Sequence, residues 1–266
     1  MVRLVDYSGE TVQEKLHMLR HPGINPPSFE AHVLGTSESS LFLSESHCYP
    51  RGGGQPGDTG QISHIDGRTS AFFEVLPGEL INHPVEDSSV FDVGEPIVCS
   101  IDLDRRNAHA LMHTSQHIFS ALAEDIWGAE TVGNQIGMEQ SRVDLLFEDK
   151  AVFDPDVLVN AVNSVIDSAI PVNVHEWDRD TITNHKDMRH MKFMDRIPSS
   201  VTHLRVVEVE GVDLCPCAGT HVANTRDIHP VSFNGVRTKG KGRLRVSYKL
   251  NNYQNSINTI GGLGRN

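Results

Sequence analysis

Most signatures that would assign a function at sight are missing from this chain. No apolar run approaches the length of a membrane span. The opening MVRLVDYSGE has no apolar segment of the kind an export signal carries, so the expected location is the cytoplasm. Only four cysteines occur in 266 residues, two of them flanking Pro216, which is not an extracellular disulfide pattern. Cations are scarce: 23 Lys and Arg stand against 35 Asp and Glu, a net charge of −12. That balance excludes a protein that coats nucleic acid through general phosphate contacts. Catalytic signatures are thin too. There is no Gly-x-Ser-x-Gly elbow, no His-Glu-x-x-His helix and no complete zinc-deaminase pattern, although Cys215-Pro216-Cys217 resembles a fragment of one.

What is present starts with residues 108–123, AHALMHTSQHIFSALA, where His109, His113 and His117 recur at every fourth position. Without Pro or Gly, and rich in Ala, Leu and Met, the stretch is expected to be helical. Imidazoles at i, i+4 sit one turn apart on the same face, close enough to share a metal ion. About a hundred residues on, Cys217-Ala218-Gly219-Thr220-His221 offers a thiolate and an imidazole across a short turn. Taken alone, a helical His pair is more often structure or surface than ligand, and a Cys-x3-His segment is weaker evidence still. Together they supply three imidazoles and one thiolate, a donor set that suits Zn²⁺. His109 could replace His117 beside His113, but a supporting or surface role is expected for it. Four protein ligands would fill a tetrahedral site, so a catalytic ion needs one of them distant or displaced, leaving a position for water or for the substrate's amino group. With no dedicated carboxylate base nearby, such a centre suits an activated substrate such as an ester.

Two further stretches carry possible chemistry. Tyr49 to Gly60 reads YPRGGGQPGDTG, with six glycines and prolines among the nine positions 52–60. That composition argues against helix and regular strand. It lacks the Lys-Ser/Thr of a phosphate-binding loop, and strained turns between strands are the plainer reading, though Gln55 and Asp58 could aim polar groups at a ligand. Residues 237–249 carry Arg237, Lys239, Lys241, Arg243, Arg245 and Lys249 with no acidic residue. They form either a local phosphate-binding face or an ordinary solvated strand pair.

The architecture expected is α+β. Residues 1–105 show short apolar runs (40–43, 71–76, 97–101) between Gly, Pro, Asp and Asn clusters, which suggests a small glycine-rich β-barrel or sandwich. The first thirty residues read as a strand and an irregular connection. Polar residues 102–107 mark a boundary. The central helix should run to about Ile126 and stop at Gly128. Strands are expected at 131–137 and 141–147. Asp154-Pro155 opens a second helix with the stripe Leu158, Val162, Val165, Ile166, closed by Pro171. A strand at 172–177, a short helix at 180–190, a strand at 201–209 and an antiparallel pair at 231–239 and 243–250 complete residues 106–250. Residues 251–266 read as a mobile tail.

The succession GGGQPGDTG, HTSQH, DLCPCAGTHV and GKGRLRV resembles the freestanding alanyl-tRNA editing proteins, relatives of the editing domain of alanyl-tRNA synthetase and of the second additional domain of threonyl-tRNA synthetase. The likeness spans roughly residues 30–250 and fits the longer form, with a glycine-rich N-terminal barrel before the editing domain. It implies hydrolysis of Ser-tRNA(Ala), with Gly-tRNA(Ala) as an open second substrate. It places zinc on His113, His117, Cys217 and His221. The Gly52, Gly53, Gly54, Gln55, Asp58, Gly60 motif would shape the face that selects the amino acid. Thr131 falls where relatives hold a hydroxyl near the aminoacyl pocket, and Thr131, Gln135 or Gln55 would meet the seryl hydroxyl. The family's usual Gly-Gly-Thr-His has Ala218 in place of its first glycine. Arg237, Lys239, Lys241 and Arg243 are expected to contact the tRNA acceptor end, and no aminoacylation motif is present. Two other functions stay open: a zinc hydrolase of a small ester or amide without RNA, and a non-catalytic tRNA-binding module with structural zinc.

Overall fold

A computed structural model describes residues 3–4, 13–18, 28–191, 194, 197 and 201–251. The expected connection within the first thirty residues falls mostly outside these, and the expected tail does so from residue 252 onward. The chain forms two units, Met1–Asn107 and Ala108–Asn266.

In the first unit the strands are β1 (Arg3–Leu4), β2 (Glu14–Lys15), β3 (Phe29–Ser37), β4 (Ser40–Leu43), β5 (Glu45–Ser46), β6 (Gly60–Ser63), β7 (Thr69–Phe72), β8 (His83–Pro84) and β9 (Pro96–Ile101). Six of them lie in the order β7-β6-β9-β3-β4-β8, with β1 added to β3, and the short β2–β5 pair stands apart. Alternation along β3 buries Phe29, Ala31 and Val33 in a core shared with Leu41, Leu43, Ile62, Phe72 and Ile97. The expected closed barrel is not shown, because among the described residues no strand ladder closes this sheet. Its two end strands meet only through the isolated bridge Phe72–Val85. The physical reason is local: β8 is two residues long, and its Pro84 has no N–H with which to extend a ladder.

The helix α1 (Leu103–Trp127) begins earlier than its composition suggested. Asp102 Oδ1 accepts from Arg105 N–H at 3.1 Å, so the polar stretch 102–107, at whose end the two units divide, is also the capped first turn of the helix. Gly128 ends it, its N–H bonding Glu124 O at 2.7 Å. From Ala108 to Ala121 every residue is buried. A helix buried on all sides must satisfy its polar side chains internally. Thr114 and Ser115 do so by donating to the carbonyls of Ala110 and Leu111, at 2.9 and 2.8 Å.

The second unit continues with β10 (Glu130–Gln135), β11 (Ser141–Leu146), α2 (Pro155–Asp167), β12 (Val172–Asp178), α3 (Arg179–Asn184), β13 (His203–Val209), β14 (Asp213–Pro216), β15 (Val231–Thr238) and β16 (Arg243–Leu250). They make two antiparallel sheets, β10-β11-β16-β15 and β12-β13-β14. Asp154 caps α2, accepting from Asp156 and Val157 N–H, with Pro155 in the first turn. Leu158, Val162 and Ile166 are its buried face. The third helix is six residues, shorter than the 180–190 segment expected, with Asp178 as its cap. Tyr248 of β16 stacks on Phe119 of α1 at 4.4 Å and donates to Met112 O at 2.8 Å. Such a ring pair contributes about 0.5–1.5 kcal/mol beyond its buried area.

Candidate metal centre

Two short segments build the centre: the third and fourth turns of α1, and the turn that follows β14. The donor atoms of His113, His117, Cys217 and His221 all lie within 4.8 Å of one another. Cys217 Sγ is 3.7 Å from His113 Nε2 and 3.3 Å from His221 Nε2. Sulfur and nitrogen donors on one tetrahedral zinc ion are separated by about 3.6 Å, given bonds of about 2.3 and 2.05 Å. The three rings pack with centroids 4.5–5.2 Å apart. His109 is buried but stands outside this set, so the surface role open to it is excluded.

The supporting contacts explain why the donors face one another. His117 donates from Nδ1 to Asp213 Oδ2 at 2.8 Å, leaving Nε2 for an ion. Thr114, whose own proton goes to Ala110 O, accepts from His221 Nδ1 at 3.1 Å and from Val222 N–H at 3.1 Å. One hydroxyl thus ties the helix to the turn and orients a second imidazole. On the cysteine side, Arg205 Nη1 donates to the carbonyls of Cys217 and Gly219 at 2.9 and 2.7 Å. Gly219 N–H points at Cys217 Sγ at 3.3 Å.

Electrostatics divide the two neighbouring thiols. Burial opposes ionisation of Cys217, but its interactions with the imidazoles of His113, His117 and His221 outweigh it and hold its pKa well below the usual thiol value. Burial and the Asp213 carboxylate push Cys215 up to about 12, so it stays protonated and donates to Asp213 Oδ2 at 3.4 Å. Burial also depresses His113 and, more strongly, His221, favouring the neutral imidazole that binds metal. For His117 burial acts in the same direction, yet the negative groups around it prevail and raise its pKa. Asp213 is the one with which it shares a proton directly. Soft sulfur, three imidazoles, two of them held through Nδ1, and a supporting carboxylate fit zinc by the chemistry of the donors.

The remaining site candidates are not among the four donors. Thr131, in β10 beside a bulge, is 7% exposed, and its Oγ1 has no hydrogen-bond partner among the described residues. Gln135 is exposed, and its side-chain carbonyl accepts from Arg142 Nε at 3.1 Å. Among the described residues no hydrogen bond joins either to the four donors. In the first unit the glycine loop turns tightly, Gly52 and Gln55 exchanging backbone bonds of 3.1 and 2.8 Å. Gly53 and Gly54 are exposed at its tip, with φ of 54° and 83°. Gln55 and Asp58 are buried. Asp58 is fully engaged: it accepts Tyr49 N–H at 2.6 Å and pairs with the buried Arg106 guanidinium through both oxygens. The basic residues Arg237, Lys239, Lys241 and Arg243 are exposed on the β15–β16 hairpin. Arg245, opposite Arg237, is instead held by Asp144 at 2.8 Å.

Known proteins are similar in sequence to this chain. The description of the threonyl and alanyl tRNA synthetase second additional domain matches residues 204–247. An alanyl-tRNA editing protein AlaX-M of Methanosarcina barkeri is 34% identical over 234 residues, covering 84% of this chain and 93% of its own. Its counterpart from Saccharolobus solfataricus is 32% identical over 224 residues, with the same coverage of 84% and 93%. This chain belongs to the alanyl-tRNA editing protein family. An alanine–tRNA ligase of Methanothermobacter thermautotrophicus is 31% identical over 226 residues, 83% of this chain but 24% of the ligase. The AlaX-type chain is therefore similar to one part of a much longer synthetase.

Sequence reasoning missed Asp213, Cys215, Thr114 and Arg205 around the AlaX centre. A signal existed for three of them. Asp213, Cys215 and Cys217 occupy alternate positions, and in a strand alternate side chains share a face. Arg205 is the lone cation within the apolar run of β13.

Proposed function

We propose that this protein is an aminoacyl-tRNA deacylase that hydrolyses Ser-tRNA(Ala), and Gly-tRNA(Ala) as a second substrate, in the cytoplasm with Zn²⁺ at the four-residue centre. The observation that carries the reading is the convergence of His113, His117, Cys217 and His221 donors within 4.8 Å. When bound there, zinc would supply Lewis-acid polarisation to an ester whose barrier is already modest. The chain's own part is to fix the donors. Asp213 and Thr114 set two ring orientations, and Arg205 holds the cysteine turn. Hydrolysis consumes one water and releases free amino acid and a tRNA 3′ hydroxyl.

Selectivity follows from one added hydroxyl. A synthetic pocket built for alanine rejects serine by only about 10²-fold, which leaves errors for a second site. The buried Thr131 hydroxyl without a partner supports a role in meeting the seryl hydroxyl. An alanyl ester leaves such a group unsatisfied, at a cost of about 1–3 kcal/mol. Gln55 and the exposed backbone of Gly53 and Gly54 are assigned to the substrate side, and Asp58 to holding their loop through Arg106. Gln135 is assigned a lesser contact, since Arg142 already binds it. The exposed cations Arg237, Lys239, Lys241 and Arg243 are assigned to tRNA phosphates, which favours this reading over a hydrolase of small esters. One observation favours a second reading: four protein donors saturate a tetrahedral ion, as in structural zinc, which suits a non-catalytic tRNA-binding module.

Deacylation of Ser-, Gly- and Ala-tRNA(Ala), with and without chelator, tests the proposal. Hydrolysis of the seryl ester, sparing of the alanyl ester and loss with chelator are expected. Binding of Ser-tRNA(Ala) without turnover would establish the second reading instead.

A further inference from the structure

One cavity in the second unit touches the centre described above only through Asp213, the carboxylate that supports His117. Register puts its aromatic lining and the metal-side groups at opposite alternations of the same sheet. Asp213 and Cys215 pair with Val209 and Val207, whereas His175 and Trp177 pair with Val206 and Leu204. The cavity measures about 530 Å³ and is lined by His175, Trp177, His185, Asp187, Arg189 and Glu208 among others. That is room for a nucleoside.

Three of these rings form a stack. His175 and His185 each lie 5.2 Å from Trp177, tilted from it by 28° and 29°. Two of the rings are pinned: His175 Nε2 bonds Glu208 at 2.8 Å, and His185 Nδ1 accepts Asp187 N–H at 3.3 Å. A fixed, near-parallel column of flat rings that opens into a cavity is the surface on which an unpaired base stacks. The charges then decide what kind of ligand. Arg189, the only guanidinium or ammonium among the described lining residues, is spent on Glu124 and Asp125 at 3.1 and 2.7 Å. Among the described residues phosphate therefore finds no available cation here. Asp187 is exposed, and its carboxylate takes no hydrogen bond or ion pair among the described residues. An acceptor at the mouth suits an exocyclic amine, such as N4 of cytosine or N6 of adenine.

We propose that this cavity binds an unpaired, amine-bearing nucleobase, adenine or cytosine rather than uracil, contributed by the single-stranded end of an RNA. Only the identity of that RNA rests on the tRNA reading above.

The chain has two tryptophans, so Trp127→Phe makes Trp177 the sole reporter. Its fluorescence would be titrated with adenosine, cytidine and uridine, and calorimetry on the unsubstituted protein gives a second measure should that variant fold poorly. Saturable quenching by adenosine and cytidine is expected. Affinity should fall by at least about fivefold in His185→Ala, and Asp187→Asn should lose the preference over uridine. Absence of saturable quenching and heat, an equal response to uridine, or binding unchanged in both variants overturns the proposal. Full Ser-tRNA(Ala) deacylation without nucleoside binding would sink this inference alone. Nucleoside binding without deacylation would sink the function alone.

Discussion

The glycine loop of the first unit and the cysteine turn of the second are built alike and finish differently. Each is a short turn whose side chains meet α1 residues far away in sequence, 48 positions for Asp58 and 104 for Cys217. In the loop the encounter is complete: the Asp58 carboxylate is consumed by Arg106 and by Tyr49 N–H, inside protein. In the turn it is incomplete by design, because the supporting bonds to Asp213 and Thr114 use Nδ1 atoms and leave nitrogen and sulfur lone pairs facing one another. Closed polar networks stabilise a fold, whereas oriented, unspent donors describe a site.

That contrast can be broken from either side. The largest effect is expected from His117→Ala or Cys217→Ala, which should remove bound zinc by elemental analysis and lower deacylation by more than about 10²-fold. Undiminished turnover in a zinc-free variant would eliminate a catalytic metal. Next comes Asp58→Ala, which strands a buried guanidinium and should cost about 3–5 kcal/mol in urea unfolding. A loss below 1 kcal/mol would mean that the loop is not held in this way. Asp213→Asn keeps shape but weakens the orientation of His117, and zinc affinity in chelator competition should drop by about 10–100-fold. The smallest change belongs to Lys239→Glu with Lys241→Glu: kcat should hold, KM for tRNA should rise, and the salt dependence should flatten by about two phosphate contacts. Equal KM values would remove these lysines from the RNA-binding surface.

The four donors were legible because their spacing is periodic. Imidazoles at i, i+4 on a helix and Cys-x3-His in a turn each imply a shared direction, and two such pairs in an acidic chain with four cysteines leave few other uses. Their supports were harder to read. Thr114 matters through a bond to residue 221, and no local pattern announces a contact 107 positions away. The start of α1 was misjudged because an exposed, charged first turn has the composition of a linker, and its Asp102 cap shows only once the backbone bond is seen. The glycine motif was visible, but its division of labour was not. Composition cannot distinguish an aspartate aimed at a ligand from one sealed against Arg106.

The unequal thiols also make the protein a ready reporter of its own loading. Cys48, Cys99 and Cys215 are buried, and Cys217 alone is partly open. A maleimide dye should therefore attach at a single sulfur in the apo form and be refused once that lone pair is committed to an ion, turning labelling rate into a gauge of occupancy.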